Sequence, residues 1–90
     1  MLYQKNKSVV IFEQDNEGIA QMEDGTLHIL NTTAYEVYLL CDGNNESDIV
    51  NDLTRKYASI ERDIIQADVS EILATMLQKN IIVSSDEDVS

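Results

Sequence analysis

The sequence predicts an α+β fold that is winged-helix-like: a three-stranded antiparallel sheet, then three helices and a short terminal strand. Three observations predict it. Apolar residues alternate in short runs before residue 30, then recur at helical spacing from 34 to 79. Glycine and Asx residues stand where the early runs must reverse. The order of periods, β-β-β-α-α-α-β, is the parts list of a winged helix. The chain of 90 residues makes one domain near the lower end of self-sufficient size. Residues 1–83 are expected to form it, with "SSDEDVS" (84–90) as an acidic disordered tail.

The strands come first. "SVVIFE" (8–13) is β-branched and apolar. "GIAQME" (18–23) alternates weakly. "TLHIL" (26–30) alternates better, with Leu27 and Ile29 on one face and His28 and Leu30 on the other. Asp24-Gly25 predicts a two-residue type I′ turn, because glycine accepts the positive φ it requires. "QDNEG" (14–18) predicts a looser turn ending in Gly18. Such a sheet keeps two edges, each an open row of backbone donors and acceptors.

The helices follow. Ala34, Val37, Tyr38 and Cys41 fall at i, i+3, i+4 and i+7, one helical face. Asn31, Thr32 and Thr33 suit an N-cap, and Thr33 with Glu36 fits a capping box. Gly43 is the expected stop. A second helix is expected from Ser47, its cap, to Tyr57, burying Ile49, Val50, Leu53 and Tyr57. A third covers 61–79, with Ile65, Val69, Ile72, Leu73, Met76 and Leu77 as its stripe. Asn80 predicts a left-handed stop before "IIV" (81–83), the last strand.

Composition excludes several functions. Six basic residues face seventeen acidic ones, a net charge of −11. Nucleic-acid binding needs cations that neutralise phosphates; here they are scattered, so a basic or neutral protein or peptide is the expected partner. No apolar run approaches membrane-spanning length and no signal sequence opens the chain, so the protein is expected to be soluble and cytoplasmic. The single cysteine, Cys41, cannot form an intramolecular disulfide.

Candidate chemistry is sparse. Cys41 lies near a helix C-terminus beside Asp42, where a thiolate is disfavoured, and is a core residue by this reasoning. His28, the one histidine, has no nucleophile spaced to use it. "EQDNEG" (13–18), with Asp24, partly matches a calcium loop, but its end positions carry the wrong acids and its flanks are strands. Ser47 in "ESDI" is the nearest approach to a carrier-protein acylation site, yet it is better placed as a helix cap. No catalytic residue, metal or cofactor is expected. Tyr35 and Leu39 fall off the main face of the first helix. On the third, Ile65, Asp68, Ile72, Thr75 and Lys79 form a mixed stripe that suits either the floor of a peptide groove or a solvated shoulder.

Taken together, these segments resemble the PqqD-like family. The resemblance rests on Leu30-Asn31, Ala34, Val37-Tyr38, Leu40 and Asp42-Gly43, on Leu53 and Tyr57 in "SDIVNDLTRKY", and on Asp68-Val69, Leu73, Leu77 and Ile81-Ile82 in "ADVSEILATMLQKNIIV". It spans about residues 8 to 83. The chain departs from the pattern at Tyr38, a tryptophan in many relatives, at Asn80, commonly glycine, and at Ile72, a phenylalanine-like position.

The resemblance implies a peptide-recognition element for ribosomally made, post-translationally modified peptides. Such a domain is a non-catalytic adaptor. It binds the leader segment of a precursor peptide by strand addition and presents the core segment to a modifying enzyme, often a radical S-adenosylmethionine enzyme, or to a leader peptidase. On this chain it implies pairing along Thr26, Leu27, His28, Ile29 and Leu30. Ile65, Asp68, Ile72, Thr75 and Met76 would line the helical wall, with Asp68 and Glu71 meeting leader lysine or arginine. His28 in the groove would make binding pH-dependent, and the open edge would permit a homodimer. Two other classes share features of the chain: a winged-helix transcription regulator, which the charge of the third helix disfavours, and a small acidic carrier protein.

Overall fold

The local signals are resolved by pairing and capping in a computed structural model that describes residues 1–85. In chain order the elements are β1 (Leu2–Lys5), β2 (Val10–Gln14), β3 (Glu17–Gln21), β4 (Leu27–Leu30), α1 (Thr32–Leu39), β5 (Asp42–Asn44), α2 (Glu46–Lys56), α3 (Arg62–Gln78) and β6 (Ile82–Ser85). The expected α+β order is present. It is framed by a second sheet that the sequence reading lacked.

The expected sheet is the antiparallel β2-β3-β4 meander. Its turns are the reverse of expectation. The two-residue turn is Asp15-Asn16, with φ of 54° and 66°, between the paired Gln14 and Glu17. Asx residues tolerate the left-handed region because their short polar side chains bond locally. The β3–β4 link is longer: Gly25 (φ 89°) donates its N–H to the Met22 carbonyl at 2.9 Å, and Asp24 Oδ1 accepts from the Thr26 N–H at 2.9 Å. The calcium-like stretch is thus a hairpin.

The second sheet has the order β5-β1-β6, all antiparallel. Residues 2–5 and 42–44 are therefore strands, where no strand is predicted. Gly43, expected to end a helix, instead adopts φ +80° within β5, beside Gln4. β6 runs through Ser84 and Ser85, so these residues are not part of a tail. The rest of the predicted tail, 86–90, lies outside the described residues.

Each helix start has a cause. Asn31, rather than a Thr33–Glu36 box, caps α1, its Oδ1 accepting from the Ala34 N–H at 2.9 Å. Asn45, rather than Ser47, caps α2 through the Asp48 N–H at 2.8 Å. Ser47 lies inside the first turn. Glu46 and Asp48 at that end, and Arg55 and Lys56 at the other, complement the helix dipole. α3 stops as expected at Asn80 (φ 60°) in a Schellman arrangement: the Ile81 N–H reaches the Met76 carbonyl at 2.9 Å and the Asn80 N–H reaches Leu77 at 3.1 Å.

The core joins both sheets to all three helices through Ala20, Val37, Ile49, Val69, Leu73 and Ile82 among others. Tyr35 packs on the sheet and is buried, whereas Leu39 stays exposed. Cys41 is fully buried just past α1; burial pushes its thiol up to about 12.

Candidate peptide-binding site

The site is built around β4. It is an edge strand, since its only sheet neighbour is β3. The ladder's parity determines what that edge presents. The Met22 N–H donates to the Thr26 carbonyl at 2.8 Å, which makes 22–26 a hydrogen-bonded pair. In an antiparallel ladder such pairs alternate with non-bonded ones. With the register Gln21–Leu27, Ala20–His28, Ile19–Ile29 and Gly18–Leu30, His28 and Leu30 turn their N–H and C=O groups toward β3. Leu27 and Ile29 turn theirs outward, to the open edge.

Side-chain direction follows the same alternation. Phe12, Ile19 and Ile29 line up across the three strands, and Val10 and Leu27 flank Gln21 in the next row. This outer face is strongly apolar yet exposed, Ile29 at 74%. The inner face carries Ala20, His28 and Leu30 toward the helices.

α3 runs beside β4 and forms the second wall. Ile29, Leu30, Asn31 and Ala34 face Glu71, Ile72, Thr75 and Met76 across an open hollow of about 200 Å³. At the N-terminal end of β4 the groove widens into a polar basin of about 500 Å³, lined by Thr26, His28, Lys79 and Asn80 with Asn6 and Ser8. Past its C-terminal end lies a third pocket, of about 180 Å³, under the first half of α3. The three depressions follow one another along the strand and its flanking helix.

All the sequence-expected residues lie along this line, but they differ in exposure. Leu27, Ile29, Asp68, Glu71 and Thr75 are exposed, and His28 and Ile72 are half-buried. Leu30, Ile65 and Met76 are core residues, so they form floor rather than contact surface. Thr26 sits in the turn before β4. Ile65 and Asp68 line the far pocket rather than the strand-flanking hollow. Sequence reasoning missed Asn31, Ala34 and the far-pocket residues Ile60 and Ile64. The only signal for the last two was apolar residues off the core stripe, which becomes informative once α1 and α2 are placed.

One polar cluster braces the α1–α2 side. Lys56 Nζ and the Tyr57 hydroxyl both donate to the Glu36 carboxylate. Burial pushes that carboxyl up, but the bonds from Lys56 and Tyr57 outweigh it and hold it below the ordinary glutamate range. Among the described residues no group of His, Cys, Asp and Glu is arranged to hold a metal ion. No helix among them is long and apolar enough to cross a membrane.

An open edge strand flanked by a helix defines a class: a winged-helix-like α+β domain built to accept one more strand. The family can be stated with it. The model of the family described as coenzyme PQQ synthesis protein D matches residues 9–82, and the chain belongs to that family. Two solved structures share the fold. TbiB1 in complex with the TbiA(beta) leader peptide is 20% identical, with a TM-score of 0.78 over 91% of this chain and 96% of TbiB1. The PqqD truncation of Methylobacterium extorquens PqqCD, a stand-alone recognition element for ribosomally synthesised and post-translationally modified peptides, is 24% identical. Its TM-score is 0.74 over 92% of this chain and 89% of that one. No curated protein sequence matches this chain.

Proposed function

We propose that this protein is a non-catalytic adaptor that binds the leader segment of a ribosomally made precursor peptide and presents the peptide to a modifying enzyme. The observation that carries this reading is the outward-facing N–H and C=O groups of Leu27 and Ile29 on an uncovered strand beside α3. An extended peptide satisfies those groups by becoming a fourth strand, and its side chains on one face fall into the hollow under Ile72 and Thr75. Family membership supports the reading, as does the relative that holds a leader peptide. Asp68 and Glu71 on the α3 wall favour a leader carrying lysine or arginine nearby.

The enzyme is met elsewhere. The outer face of the sheet, with Val10, Phe12, Ile19, Leu27 and Ile29, lies on the opposite side from α1 and stays free when a leader is added at the edge. Its size and apolarity suit a protein interface. A radical S-adenosylmethionine enzyme or a leader peptidase encoded in the same locus is the partner that fits this role, in the cytoplasm. A regulator that inserts α3 into DNA gains nothing from an exposed face carrying Asp63, Asp68 and Glu71.

Titration calorimetry of the purified protein with the leader peptide encoded beside its gene tests the reading. Micromolar or tighter binding that is lost with a scrambled leader supports it. An absence of binding to the leader, with or without the neighbouring enzyme, overturns it.

A further inference from the structure

The pocket past the end of β4 is apolar and unfilled. Its walls come from Leu53 and Tyr57 of α2 and from Ile60, Ile64 and Ile65 before and within α3, with Thr32 at the edge nearest β4. Ile60 is 41% exposed and Ile64 is 54% exposed, so large aliphatic groups stand in water at its mouth. Such exposure forgoes burial free energy that a closed α2–α3 junction would gain. The pocket measures about 180 Å³, and an apolar cavity of about 150 Å³ admits a benzene-sized group. On the Glu36 side, both carboxylate oxygens are engaged by Lys56 and Tyr57, so that edge makes no demand on an incoming group. On the other side the exposed Asp68 lies at the rim.

The pocket is continuous with the groove. Thr32 lies two residues beyond Leu30, and Asp68 lies one helical turn before Ile72 on α3. A peptide added to β4 and continuing past Leu30 therefore runs onto it. Every pairing in this sheet is antiparallel. A strand that keeps this sense passes Leu30 with the residues that precede its paired stretch.

We infer that this pocket is a specificity subsite of the leader groove. Resting on the leader-binding reading above, it takes one bulky aliphatic or aromatic side chain of the leader, located N-terminal to the strand-paired stretch, with a basic neighbour favoured beside Asp68. The paired strand supplies sequence-tolerant backbone bonds. The pocket supplies selection by side-chain size, because its walls reject polar groups that would be left without partners.

The test compares two variants on exposed positions with the strand-edge variant Ile29→Pro. The probe is the leader peptide encoded beside the gene, at full length and truncated to the stretch that pairs with β4. Ile64→Glu is expected to weaken binding of the full-length leader about tenfold or more. Ile60→Glu is expected to do the same, and circular dichroism melting confirms that each remains folded. Both variants bind the truncated leader as the wild type does. In an alanine scan of the leader, one apolar residue before the paired stretch loses a similar factor in the wild type and almost none in Ile64→Glu. If both variants bind the full-length leader within twofold of wild type while Ile29→Pro abolishes binding, the subsite is wrong and the groove stands. If the wild type does not bind the leader at all, both readings fall together.

Discussion

The ring of Tyr35 lies directly on the backbone of Gly18: a Cβ built at that glycine would stand 2.6 Å from Tyr35 Cδ1. The tyrosine hydroxyl meanwhile donates to Glu13 Oε1 at 2.9 Å. One side chain of α1 thus fastens the helix to the two strands behind β4, and stacks on Tyr38 with centroids 6.3 Å apart. Gly18 has an ordinary φ here, so close approach is what demands it. We expect Gly18→Ala to cost about 1–3 kcal/mol, because the ring must move from a packed position. Urea denaturation measures this. Tyr35→Phe keeps the packing and should cost only about 1 kcal/mol.

The parity of β4 makes a sharp distinction between neighbours. Proline at Ile29 removes an outward-facing donor and leaves the β3 ladder intact, whereas proline at His28 removes a ladder bond. Ile29→Pro should therefore stay folded and weaken leader binding about tenfold or more, while His28→Pro should destabilise the domain itself. Ile72→Asp, on the facing wall, is expected to abolish binding at little cost in stability, since Ile72 is only half-buried. Calorimetry paired with thermal melting separates the two effects. If Ile29→Pro and Ile72→Asp both bind normally, the groove is elsewhere.

The acidic wall should act on rate. Asp68→Asn and Glu71→Gln are expected to slow association with a basic leader about two- to threefold at low ionic strength, with dissociation nearly unchanged. The difference should vanish near 1 M salt, where the Debye length is about 3 Å. Stopped-flow fluorescence across a salt series is the measurement. A change confined to the dissociation rate would mean that these carboxylates make direct, desolvated contacts instead.

Alkaline stability has a defined origin at Cys41. Its thiol is raised from 9.0 to about 12 by burial. A group raised on folding gives stability that is fully present below its unfolded value and lost as pH climbs toward the folded one. The window is thus about pH 9 to 12. Cys41→Ala should flatten the decline in that window while costing some stability at pH 7 through the lost buried volume. At neutral pH a thiol reagent should label Cys41 only upon unfolding.

Much of this architecture was legible in the sequence, and the failures have physical reasons. The three helices, β4 and the Asn80 stop depend on local periodicity and backbone preference, which a sequence displays. β1 and β5 do not. "LYQK" has no strong alternation and "DGN" is unfavourable for a strand, yet both pair because β6 returns from α3 to complete their sheet. The exchanged turns arose because Asp-Gly is the stronger hairpin signal by composition. Here the register places the tight reversal at Asp15-Asn16. Ser47 lost the cap to Asn45 because both residue types suit it and only the entry angle of the chain decides. The groove's strand wall was legible from alternation. Its far pocket, bounded by three helices, was not.

The pairing of Leu2 with Ser85 has a consequence for how the domain can be mounted. The second sheet brings both described chain ends together, at the end of β6 remote from α3. Polypeptide spliced to either terminus emerges from this one corner, while β4 and α3 stay uncovered. The fold can therefore work as a detachable cartridge: a separate subunit, or a segment grafted before or after a larger polypeptide, with its recognition surface unaltered. The same adjacency makes a short linker from Ser85 to Leu2 a feasible closure, with new ends opened in the β3–β4 loop or elsewhere without disturbing the core.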